Sequence, residues 1–138
     1  MIQFKQIPLL GTLFLISIFS FAQTSIEGHW KTIDDETGRI KSVVEISERG
    51  GQFYGTVIEL FRLPDEDQHP ICDKCEDDRK DMPALGMEIV RNMVLAEGES
   101  QEWEDGTICD PKKGSIYDCE MWFEGGDTDV LKVRGYIW

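Results

Sequence analysis

From residue 23 onward the chain alternates apolar and polar residues in short runs, separated by turns rich in Gly and Asp. That is the period of half-buried β-strands, and helical periodicity is absent from this part of the chain. "SIEGHWKTI" puts Ile26, Gly28, Trp30 and Thr32 on one face, with His29 on the other, toward solvent. "DDETGR" then supplies a turn in which Gly38 can take a positive φ. "KSVVEIS" places Val44 and Ile46 on one face and Glu45 on the other. After the "ERGGQ" turn, "FYGTVIELFRL" reads as a long strand with a bend or bulge at Gly55. Residues 64–83 are irregular, charged and Pro-containing, too long for an ordinary hairpin connection. The β pattern resumes in "ALGMEIVRNMVL", "EWEDGTIC", "IYDCEMWFE" and "VLKVRGYIW".

Seven strands joined mostly by tight turns predict an all-β, antiparallel up-and-down meander. Curling such a sheet into a β-barrel removes the exposed edges that an open sheet would leave. The last run reaches Trp138 with no turn after it, so an eighth strand is expected to be missing at the C-terminus. The strand-rich part, 23–138, is the size of one domain and can build its own core.

The first residues change the compartment. Ile7 to Phe21 form an apolar run after Lys5, and Ser20-Phe21-Ala22 offers small residues at the positions a signal peptidase reads. Residues 1–22 are therefore expected to be a cleaved signal peptide, and the run is short for a retained membrane span. No Cys follows it, which argues against a lipid anchor. The expected product is exported, with no membrane span after cleavage. All the Asp and Glu lie after residue 22, so that product is more acidic than the net charge of −13 of the whole chain. Such a surface repels nucleic acid and anionic lipid.

Four cysteines bear on chemistry. Cys72-x-x-Cys75 sits in the long 64–83 loop, and in an oxidising compartment a pair so spaced can close a local disulfide. Its neighbours Asp73, Glu76, Asp77 and Asp78 raise a thiolate pKa and oppose a redox-active dithiol. The alternative is zinc held by His69, Cys72 and Cys75, which needs a fourth ligand. Cys109 and Cys119 flank the "DPKKGS" turn and are the expected second bridge, given a register that brings them together. "DEDQH" at 65–69 lacks the glycine and terminal Glu of a calcium loop, and reads as a solvated acidic stretch. No nucleophile elbow, Ser/His/Asp set or phosphate-cradling loop is present, so no catalytic residues and no enzymatic activity are expected.

Five segments, "GHWKTIDDETGRIKSVVEI", "GQFYGTVIEL", "CDKC", "DGTICDPKKGSIYDCEMW" and "LKVRGYI", resemble in fixed order the small secreted bacterial proteins grouped as domain of unknown function 2147. The resemblance implies an extracytoplasmic β-rich domain of a Gram-negative envelope, periplasmic or extracellular, and implies no activity. Members of that family usually continue past the "VRGYI" segment into a further strand, where this chain ends at Trp138. Gly28-x-Trp30 on the first strand is also similar to the start of lipocalin-like barrels. In those barrels the Trp plugs one end and a basic residue of the last strand covers it, a role open here to Arg134 or to an Arg of the missing strand.

Trp30, Phe53, Tyr117, Met121, Phe123 and Arg134 are accordingly the candidate ligand-binding residues for a small ligand, an apolar one among the options. The aromatic and Met side chains could equally fill the barrel, since about eight strands leave room for side chains or one small ligand. The rival expectation is an envelope interaction protein that uses the 64–83 loop to touch a partner protein.

Overall fold

The computed structural model describes residues 24–137. The leader expected at 1–22 lies outside the described residues. The strands are β1 (Gly28–Ile33), β2 (Ile40–Arg49), β3 (Gln52–Leu60), β4 (Glu88–Leu95), β5 (Glu102–Asp110), β6 (Ser115–Glu124) and β7 (Asp127–Tyr136), with no helix among the described residues. Each pairs antiparallel with the next, in the spatial order β1-β2-β3-β4-β5-β6-β7. The sheet curls into a nearly closed barrel. Trp30 of β1 meets Phe123 of β6 with ring centroids 6.0 Å apart, although the two strands are not neighbours in the sheet.

The alternation in the sequence explains which side chains go inward. Val44, Ile46, Val57, Val90, Met93, Trp103, Cys119, Met121 and Phe123 are buried in one core, while Glu45 is exposed. His29 is exposed and bonds Glu45 across the β1–β2 ladder at 2.8 Å. Curvature comes from irregular pairing. The β3–β4 register shifts on both sides of Gly55, where a Cβ would press on Val44 and Val90. Asn92 and Asp105 hold positive φ of 60° and 61° on the facing strands β4 and β5. Asn and Asp tolerate that conformation better than other side chains, and such irregularities sharpen the bend of a strand. Gly106 follows, where a side chain would run into the β4 backbone at Arg91 and Met93.

With seven strands among the described residues, β1 and β7 run in the same direction and stand at the two edges of this sheet. The exposure of β7 follows: Val133 lies opposite Met121 in the ladder, yet is 47% exposed where Met121 is buried.

The chain between β3 and β4 is longer than the irregular stretch expected. "ALGM" does not begin the strand: Ala84 to Met87 make a turn, with Gly86 at φ 86° and the Met87 N–H donating to the Ala84 carbonyl. The loop is nevertheless built. Its arms meet through a bridge between Ile71 and Pro83, the Cys72 N–H donates to the Met82 carbonyl at 2.9 Å, and the Ala84 N–H donates to the Pro70 carbonyl at 2.8 Å. Cys72, Cys75 and Met87 pack with Cys109 of β5 into a second, smaller core.

Candidate functional site

The two ends of the barrel are closed by different chemistry. At one end lie the residues before β1 together with the β2–β3, β4–β5 and β6–β7 turns. Ile26 is fully buried there, and the Trp30 indole N–H donates to the Ile26 carbonyl at 2.8 Å. Phe53 stands edge-on to Trp103 at 6.2 Å, and Trp103 edge-on to Phe123 at 5.6 Å. Trp30, Phe123, Trp103 and Phe53 thus form a continuous aromatic chain across the interior. Above it a concavity of about 330 Å³ is lined by Thr24, Ser25, Glu27, Glu48, Phe53 and Trp103. The Glu27 carboxylate accepts the Glu48 backbone N–H at 3.0 Å, so a carboxylate forms part of the rim.

Trp103 is 1% exposed, and its indole Nε1–H is the buried side-chain polar atom that finds no hydrogen-bond partner among the described residues. An unsatisfied buried donor costs about 1–3 kcal/mol. Trp103 was not singled out from sequence, although a lone aromatic between Glu102 and Glu104 marks an inward position on a strand.

At the opposite end the 61–87 loop folds over the barrel. Cys72 and Cys75 are joined as a disulfide, with Cα atoms 5.4 Å apart. Cys109 carries a free thiol whose sulfur lies 3.8 Å from that of Cys75. Arginines hold the loop down. Arg79, 4% exposed, grips Asp77 and donates to the Glu88 carbonyl at 3.1 Å. Arg91 makes a two-pronged pair with Asp78 at 2.7 and 2.8 Å. That contact with Arg91 holds the Asp78 carboxyl down at a pKa of about 2. The hydrogen bond from Arg79 lowers the Asp77 carboxyl, and one from Arg39 lowers that of Glu66. Arg79 was invisible in sequence, where it is one charge among many.

The expected bridge between Cys109 and Cys119 is not formed, and both thiols are free and buried. Register decides this. Cys109 lies opposite Ile116, and Cys119 opposite Gly106. Cys109 joins the sulfur-rich cluster under the loop, and Cys119 joins the main core. Burial pushes the Cys119 thiol up to about 12 and raises that of Cys109. The zinc alternative meets a difficulty of state: bonded to each other, Cys72 and Cys75 offer no thiolate, and His69 is exposed. Among the described residues no group of three His, Cys, Asp or Glu side chains is arranged for a metal ion.

Of the candidate ligand-binding residues, Trp30, Phe53, Met121 and Phe123 come together in the core. Tyr117 is half-buried and does not enter that cluster. Arg134 does not cover Trp30. It lies opposite Glu120 on the outward side of the sheet, bonds it at 2.6 Å, and passes over the Tyr136 ring.

Comparison with known proteins supports both the sequence pattern and the architecture. Residues 28–138 match the family described as "Uncharacterized protein conserved in bacteria (DUF2147)". The chain belongs to this family. No curated protein matches it. A solved structure, "Protein HP1028 from the human pathogen Helicobacter pylori belongs to the lipocalin family", is similar with a TM-score of 0.58 at 16% identity. The match covers 73% of this chain and 66% of that one, so the chain spans just under two thirds of that protein. At this identity the likeness concerns the fold: a lipocalin-like barrel.

Proposed function

We propose that this family member is an exported, non-catalytic envelope protein that binds a small molecule at the aromatic end of its barrel. The lipocalin-like architecture suggests small-ligand binding in general, and the observation that carries the reading to a place is Trp103. Its indole N–H is a buried donor without an acceptor among the described residues, and Trp103 lines the concavity beside Phe53. A volume of about 330 Å³ is at the small end of ligand sites, which run from roughly 300 to 1,000 Å³. The interior below is filled by side chains, so the ligand sits at the mouth and not deep in the barrel. Phe53 and Trp103 call for an apolar body. The Glu27 carboxylate at the rim disfavours an anionic head, so the acceptor is a neutral carbonyl, ether or hydroxyl oxygen. Export accords with the apolar leader and with a disulfide in the loop.

Native mass spectrometry of the purified protein after exposure to a bacterial envelope lipid extract tests this. Wild type should retain a small-molecule adduct. Replacing Trp103 with benzothienylalanine keeps the shape and swaps the N–H for sulfur. A hydrogen bond worth about 1 kcal/mol then predicts a loss of about fivefold in adduct occupancy at sub-saturating extract. An empty wild-type barrel under these conditions, or an adduct indifferent to the swap, refutes the assignment.

A further inference from the structure

We propose that Cys72, Cys75 and Cys109 form an intramolecular thiol–disulfide exchange site, in which Cys109 captures Cys75 and ties the long loop to strand β5. The three sulfur residues are buried together with Met87, each no more than 3% exposed. The free Cys109 sulfur stands 3.8 Å from Cys75 and belongs to a rigid strand, so an approach of roughly 2 Å makes the bond. The loop already rests at this place. A side chain at Gly114, in the β5–β6 turn, would collide with the Lys74 carbonyl, so the turn and the Cys-x-x-Cys segment lie backbone against backbone.

The step balances without an outside oxidant. Cys109 loses its proton to solvent base, and its thiolate attacks the Cys75 sulfur. The Cys75–Cys109 bond forms as the Cys72–Cys75 bond breaks. Cys72 leaves as a thiolate and takes up a proton, so one disulfide and one thiol remain. The result is mechanical. The Cys72–Cys75 bond spans 3 positions within the loop, whereas Cys75 and Cys109 are 34 positions apart and belong to different elements.

The charges around the thiol set the pace. Burial raises the Cys109 thiol, Arg79 and Arg91 oppose this, and Asp77 and Asp110 reinforce it. Exchange is therefore slow at neutral pH and rises about tenfold per pH unit while the thiol remains protonated. Cys119 lies in the other core and takes no part.

Two arms test the proposal on the purified protein. In the first, wild type and Cys119→Ser are held at pH 7 and pH 9, quenched in acid and alkylated, and their peptic peptides are mapped. Peptides linking Cys75 to Cys109, with alkylated Cys72, should accumulate faster at pH 9 and be absent from Cys109→Ser. In the second, Cys72→Ser is treated with oxidised glutathione. The glutathione captured by one thiol should be expelled by the other, leaving a Cys75–Cys109 link with no bound glutathione. That link in either arm establishes the capture. Its absence from both, with stable glutathione adducts in the second, overturns it.

Discussion

The aromatic end and the loop end of the barrel close the same kind of opening by opposite means. At one, Ile26, Trp30, Phe53, Trp103 and Phe123 exclude water through apolar area and ring packing. At the other, arginine–carboxylate contacts and a cluster of sulfurs hold a strandless segment in place. Burial of apolar surface depends little on pH or redox state. Ion pairs depend on pH and disulfides on redox state. The aromatic end is therefore the permanent closure, and the loop end is the conditional one.

Three experiments can break this contrast. The largest effect is expected at the aromatic end. Phe123→Ala removes a ring packed against both Trp30 and Trp103 and should cost about 3–5 kcal/mol of global stability, read from urea unfolding followed by far-ultraviolet dichroism. A loss under about 1 kcal/mol would mean that the ring chain is ornamental.

A smaller and more local effect is expected from Arg79→Met, which keeps the volume of the stem and deletes the contacts to Asp77 and the Glu88 carbonyl. Asp77 is partly exposed and rehydrates, so about 1–3 kcal/mol is lost. Limited proteolysis should show cleavage within 64–83 before the barrel unfolds. If the loop and barrel lose protection together, the two ends are one cooperative unit.

The smallest effect is acid loosening. The folded-state pKa values of Asp78, Asp77 and Glu66 are depressed, so their ion pairs contribute fully above the unfolded carboxyl range near 4. For Asp78, the contribution is lost as pH falls toward about 2. Hydrogen exchange of loop amides should therefore accelerate, relative to the strands, between pH 4 and pH 2. An unchanged ratio would show that the exposed pairs contribute nothing to holding the loop, as isolated surface pairs often do not.

The strands were legible because each is a local pattern. "KSVVEIS" must send Val44 and Ile46 one way and Glu45 the other, whatever lies beyond it. The turns were legible for the same reason, since Gly38, Gly50 and Gly51 take the positive φ that their positions require. Ala84 to Met87 misled because an apolar run can be a turn packed on a core as readily as a strand. The aromatic residues of the candidate site were legible singly. Their convergence was not, and Trp103 passed unnoticed between two glutamates.

By itself, then, the sequence determined the meander, its turns and the proximity of Cys72 to Cys75, all of which rest on neighbours a few positions apart. Only the tertiary structure decided the fates that depend on distant strands. The β5–β6 register separates Cys109 from Cys119 by turning them to different clusters, and the fold of the loop brings Cys75 beside Cys109 instead. Barrel curvature carries Trp30 across to Phe123 and leaves the Trp103 N–H without an acceptor among the described residues. A side chain's alternation says which way it points, but what it meets there is set by how far the sheet bends.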